Sequence, residues 1–177
     1  MHGLVEAKLV ALIAADPLAG ALRVRRDGAD LKADPLLATP TTIDHLAEVI
    51  GHDRALTPPA GAERRTVLRV AALMMGACDK GLHAAYERNH HPPEKVHQPW
   101  IDDCMTQMKH ALAAVEVMTK PGQDYLLLDR LTQADVTAFI AERLARGLEV
   151  DTATEVPNLH AHCSKLLEQD EFRATEP

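Results

Sequence analysis

Residues 88 to 100 read RNHHPPEKVHQPW and hold three of the ten histidines of this 177-residue chain. The imidazoles of His90, His91 and His97, with Glu94 as a carboxylate, are ligand types suited to zinc or copper. Their spacing does not fix a geometry, because adjacent side chains at 90 and 91 point apart and no H-x-x-x-H on a helix supports them. The stretch reads instead as a proline-rich connection between two helices. His160 and His162, followed by Cys163, fall near a helix start, where positions i and i+2 do not share a face. No metal site is therefore expected. Cys78, Cys104 and Cys163 are odd in number, lack a C-x-x-C spacing and each fall on an apolar stripe, the pattern of reduced, buried thiols. Ser164 is the only serine, which leaves no Ser-His-Asp arrangement, and no glycine-rich phosphate loop occurs.

The elements that would position such groups follow from composition. Hydrophobic residues make up 46% and charged residues 25% of the chain, as in soluble globular proteins, but aromatics reach only 3%. The core must then be built from Leu, Ala, Val, Met and Ile, which favours helices over a β-sandwich. A formal charge of −7 repels a phosphate backbone, and the short run Arg23-Val24-Arg25-Arg26 is followed at once by Asp27. Nucleic acid is not an expected partner. No run of about 18 apolar residues appears, so the chain reads as neither membrane-spanning nor secreted.

Along the chain, Leu4 to Ala15 is a helix candidate stopped by Asp16-Pro17. Ala21 to Arg26, Asp27-Gly28 and Ala29 to Lys32 form a plausible β-hairpin. Thr41 to Ile50 reads as a short helix with a threonine available as cap and Gly51 as its end. Residues 51–61 (GHDRALTPPAG) are aperiodic and proline-rich, and read as a linker between a segment 1–50 and an all-α domain 62–177. In that domain Val67, Ala71, Met74, Met75, Cys78 and Leu82 follow helical spacing, which predicts one long helix from Ala62 to about Arg88. Ile101, Cys104, Met105, Met108, Leu112 and Val115 predict a second helix, packed antiparallel to the first. A third begins at Leu131-Thr-Gln-Ala-Asp-Val136, where Thr132 and Asp135 form a capping box and Leu131 and Val136 a hydrophobic staple. A fourth runs from Pro157 to about Gln169.

Together these segments resemble the glutathione transferase superfamily. RRTVLRVAALMMGACDKGLHAAYERN, PPEK and QPWIDDCMTQMKHALAAVE, then LTQADVTAFIAERL and PNLHAHCSKLLEQDEFRATEP, are similar in order to the family's all-helical C-terminal domain. Ahead of them, Asp16-Pro17-Leu18 is set against the family's Asn-Pro-Leu-Gly, and Ala21 to Leu37 against its third and fourth strands. The resemblance thus implies a mainly α protein, a C-terminal helical bundle preceded by a truncated α/β thioredoxin-like segment.

It also implies a site. The family's thiol-activating Ser, Tyr or Cys has no counterpart here, so no catalytic residue is assigned. The family's cis-proline is replaced at about Gly20; an alternative placement makes Pro40 that proline. The acidic-Ser pair that holds the γ-glutamyl group of glutathione becomes Ala38-Thr39, which leaves Thr39 as the glutathione-binding hydroxyl. Met74, Met75, Cys78 and Leu82, with Asp79 and Tyr86 as polar groups, correspond to the wall that lines the family's apolar co-substrate pocket; the same residues at helical spacing also serve as ordinary core. Two functions follow. One is a divergent, non-catalytic member, cytoplasmic and homodimeric, that binds small molecules or acts as a dimerisation module. The other is an active transferase that conjugates glutathione to small electrophiles, with glutathione as co-substrate and thiol activation from another residue or from backbone N–H groups at a helix N-terminus.

Overall fold

The structure, a computed structural model, describes residues 39–51 and 53–175. The helix expected at Leu4 to Ala15, the hairpin and the segments aligned around Pro17 and Gly20 lie outside the described residues. The described residues fall into two compact units, one of residues 39–56 with 170–175 and one of Thr57–Gln169. They are mainly helical, as the Ala/Leu-rich composition predicts, and no strand occurs among them.

In the first unit, α1 spans Thr39–Ile50 and ends at Gly51, whose φ of +88° suits a residue without a Cβ. The helix starts two residues earlier than the sequence suggests. Pro40 sits in its first turn, where the missing N–H would have had no partner and the fixed φ is already helical. Thr41 is accordingly inside the helix rather than at its cap.

The second unit opens with α2, a helix of 30 residues from Gly61–His90. A short 3₁₀ turn at Pro93–Lys95 leads into α3, Gln98–Glu116, with Pro99 in its first turn. These two helices pack along each other, as the paired apolar stripes predict. Next come α4 (Gln133–Gly147), the single turn α5 (Thr152–Glu155) and α6 (Pro157–Leu166); a further turn, α7 (Asp170–Arg173), belongs to the first unit. Residues 132–139 are all buried, so α4 is enclosed on every side of its first two turns and is the central helix, packed on α2, α3 and α6.

The buried face of α2 differs from the expected stripe. Val67, Val70, Ala71, Met74, Ala77, Gly81 and Ala84 are buried, while Met75, Cys78 and Leu82 are only half-buried on its flank. The face is turned toward the small residues because α2 must accept two neighbours closely. A Cβ on Gly81 would stand 2.9 Å from Leu148 Cδ1 and 3.0 Å from Met108 Sδ, so the ends of these two side chains lie against the helix at this glycine. Gly76, by contrast, is exposed, and a Cβ there would meet nothing within 4 Å. Among the described residues, no helix is long and apolar enough to cross a membrane.

The two glycines should therefore respond differently to alanine. Gly76→Ala should stabilise the protein by about 0.5–1 kcal/mol, the helix-propensity gain at an open site. Gly81→Ala should gain less, since the ends of the Leu148 and Met108 side chains must shift to admit the methyl group and that cost offsets the propensity gain. Urea unfolding of the two variants beside the parent checks that Gly76→Ala is the more stable of the two.

Candidate functional site

The residues expected to line an apolar pocket divide on α2. Met74 is completely buried and serves packing, whereas Met75, Cys78, Leu82 and Tyr86 are half-buried and run in one line down the flank of the helix. The spacing i, i+3, i+7 and i+11 keeps them on one strip, just outside the buried face. The Tyr86 ring meets His90 edge-on at 5.3 Å between centroids, and Asp79 is exposed beside the strip. Burial pushes the Cys78 thiol up from 9.0 to about 12, and the Asp79 carboxylate adds to the effect. A thiol so held is protonated at neutral pH and contributes apolar surface rather than a nucleophile.

Thr39 occupies the first position of α1; its side chain and the neighbouring Ala38 lie outside the described residues. A separate groove of about 300 Å³, lined by Thr106, Lys109, His110, Leu112, Val150 and Val156 among others, holds none of the expected site residues. In the histidine loop, Glu87 accepts a hydrogen bond from the His97 backbone N–H at 2.9 Å and stands 3.2 Å from His91 Nδ1. The loop is thus tied to the end of α2 by a carboxylate. Among the described residues, no group of three His, Cys, Asp or Glu side chains is placed to hold a metal ion.

The capping box is present at the start of α4. The Thr132 N–H donates to Asp135 Oδ2 at 2.8 Å, and the Thr132 hydroxyl, which faces the Asp135 backbone N–H, donates to the same oxygen at 2.7 Å. Asp135 does more than cap. Its Oδ1 accepts the Leu126 N–H at 2.7 Å and lies 3.1 Å from Nε2 of buried His162, although that N–H is not aligned for a hydrogen bond. One carboxylate with no solvent exposure therefore joins the loop before α4, the helix start and α6.

Two further carboxylates have this function and were not singled out from the sequence. Glu116, at the end of α3, accepts from Asn158 N–H at 3.0 Å, Asn158 Nδ2 at 2.7 Å and Leu159 N–H at 2.7 Å, which caps α6 from another helix. Glu142, on α4 and 1% exposed, accepts from the Thr152 hydroxyl at 2.6 Å, His160 Nδ1 at 2.8 Å and Arg146 Nε at 3.1 Å. Only the Arg146 link, one helical turn away, is visible as an i,i+4 pair in the sequence.

Residues 74–170 match the family described as the glutathione S-transferase C-terminal domain. The chain belongs to the glutathione S-transferase family through this domain. Among solved structures, a glutathione transferase family member from Pseudomonas fluorescens Pf-5, with bound S-(propanoic acid)-glutathione, aligns with a TM-score of 0.77 at 21% identity over 97% of this chain and 91% of the other. A glutathione S-transferase from Methylobacterium radiotolerans, in complex with glutathione sulfonate, gives 0.71 at 20% identity over 97% and 90%. A bacterial maleyl pyruvate isomerase, described as a glutathione S-transferase of the Zeta class, gives 0.66 at 23% over 97% and 92%. At these identities the likeness is one of fold. No curated protein matches the chain in sequence.

Two outcomes follow from these placements. Asp135→Ala leaves the Leu126 and Thr132 N–H groups buried and unpaired, and should lower unfolding free energy by about 3–5 kcal/mol. Cys78 should resist alkylation: with the thiol at about 12 instead of 9.0, its rate at pH 8 should be roughly a thousandfold below that in the unfolded chain. The sign for stability is fixed by the same shift. Above pH 9 the unfolded thiol ionises while the folded one keeps its proton, so Cys78 favours folding fully below pH 9 and ceases to as pH rises toward about 12.

Proposed function

We propose that this glutathione S-transferase family protein is a divergent, non-catalytic binder of small molecules, cytoplasmic and homodimeric, in which the α2 strip of Met75, Cys78, Leu82 and Tyr86 forms an apolar wall. The observation that carries the reading is the state of that wall. Its side chains are half-buried and apolar at a spacing that leaves one continuous strip, and the one ionisable group among Met75, Cys78 and Leu82 is a thiol pushed up to about 12 and so neutral at physiological pH. Such a surface can bury an apolar ligand but cannot activate one. Glutathione is the second ligand proposed, with the Thr39 hydroxyl taking the γ-glutamyl group; the glutathione compounds bound in the similar bacterial structures support this class of ligand.

A working transferase that conjugates glutathione to small electrophiles is the second reading. It is favoured by the fold shared with transferases that crystallise with glutathione.

The two readings separate in one set of measurements on the full chain. The binder should be retained on immobilised glutathione, should bind an apolar fluorescent probe saturably, and should leave the conjugation of glutathione with an aryl halide at its uncatalysed rate. Conjugation above that rate overturns the non-catalytic reading, and no glutathione binding at millimolar concentration overturns glutathione as ligand. Leu82→Glu should weaken the apolar probe about tenfold or more while leaving glutathione affinity unchanged, about 1.4 kcal/mol for a buried charge at the strip. Sedimentation equilibrium should show twice the 19.3 kDa chain mass.

A further inference from the structure

The ring of His160 is held in a way that no binding strip requires. Glu142 as a carboxylate has no proton to give, and the Thr152 hydroxyl donates its own proton to Glu142 Oε1 at 2.6 Å. The 2.8 Å contact between His160 Nδ1 and the same oxygen must then carry the imidazole proton, and the Thr152 oxygen, 3.0 Å away, shares it as a second acceptor. This assigns the proton of the neutral ring to Nδ1 and leaves Nε2 with a free lone pair. Among the described residues Nε2 has no hydrogen-bond partner, and it is not sealed from solvent as His162 Nε2 is. His160 is 29% exposed in its side chain while Glu142 is 1% exposed, so the carboxylate is inside and the lone pair faces solvent.

We propose that His160 is a nucleophilic modification site for acyl electrophiles, oriented by Glu142. In the step, Nε2 forms a bond to the carbonyl carbon, the leaving group departs with the bonding pair, and the Nδ1 proton passes to Glu142 and from there to the departing anion. The product is a neutral Nε2-acyl imidazole and the protonated leaving group, so atoms and charge balance without a further reactant. A buried carboxylate on Nδ1–H raises the electron density at Nε2 and fixes the ring, the arrangement that general-base dyads and metal-ligating histidines use. Among the exposed described histidines, His91 is the nearest comparison: its Nδ1 lies 3.2 Å from Glu87, but Glu87 is 16% exposed and His91 50%. This site stands apart from the α2 strip and does not depend on the ligand proposed there.

The test is carbethoxylation of the folded, full-length protein with diethyl pyrocarbonate, at a pH of about 8 where ordinary histidines are neutral. The reagent loses ethyl carbonate, which decomposes to ethanol and carbon dioxide. Rates are read residue by residue by peptide mass spectrometry. Accessibility alone predicts that the exposed His83, His90, His97 and His110 react before the less exposed His160. The proposal predicts the reverse, with His160 roughly tenfold or more ahead of each. A His160 rate equal to or below theirs overturns it. Glu142→Gln, which keeps shape and an acceptor oxygen but cannot take the proton, should bring the His160 rate down to that of the exposed group with the helical circular dichroism intact; an unchanged rate in that folded variant also overturns the proposal. If the variant loses its helical signal, the order of rates in the parent protein still decides.

Discussion

The helical unit depends first on the Asp135 carboxylate. It is enclosed entirely, and an enclosed charge is tolerated only where donors surround it. Here the donors are Leu126 from the loop ahead of α4 and Thr132 from the helix start, and the buried imidazole of His162 on α6 stands 3.1 Å away without donating a hydrogen bond. Because α4 is the central helix, fixing its first turn fixes the platform on which α2, α3 and α6 pack. On α2 that packing buries Val67, Val70, Met74, Gly81 and the alanines 71, 77 and 84, and leaves Met75, Cys78, Leu82 and Tyr86 at the flank.

The same solution recurs at two other positions. Glu116 supplies the N-terminal cap of α6 from a different helix, and Glu142 gathers Thr152, His160 and Arg146 around α4. A chain of net charge −7 thus spends part of its acidity on internal carboxylates at helix ends and crossings, where hydrogen bonding satisfies them. The consequence at Glu142 is chemical as well as mechanical, since a carboxylate used as a tie also orients the imidazole it holds. At Cys78 and Cys163 the effect is the opposite. Burial, with Asp79 at the one and Glu142 at the other, pushes both thiols up and keeps them inert.

Much of this is legible in the amino-acid sequence. The positions of α2, α3, α4 and α6 follow from apolar periodicity, helped by the prolines in the first turns of α3 and α6, and the Thr132–Asp135 capping box follows from residue type at a spacing of three. The histidine loop was correctly a connection between helices. The rotation of the α2 face was not legible, because periodicity weights large apolar side chains, whereas a helix packed between two others buries its alanines and glycine. Glu142 and His160 were not legible either. They are 18 positions apart, and a glutamate on a helix ordinarily reads as solvated surface.

The helical class, the order and approximate ends of the helices, and the local cap of α4 are all written in the amino-acid sequence. Each of these is set by short-range physics: propensity, the 3.6-residue period, proline geometry and hydrogen bonds within one turn. Packing between helices settles the rest: which flank of α2 stays open, which carboxylates are buried, and that the imidazole of His160 is backed by Glu142 while that of His162 is sealed against Asp135. Those outcomes depend on which groups meet across helices, and burial and partnership between distant residues are properties of the packed chain that no local pattern encodes.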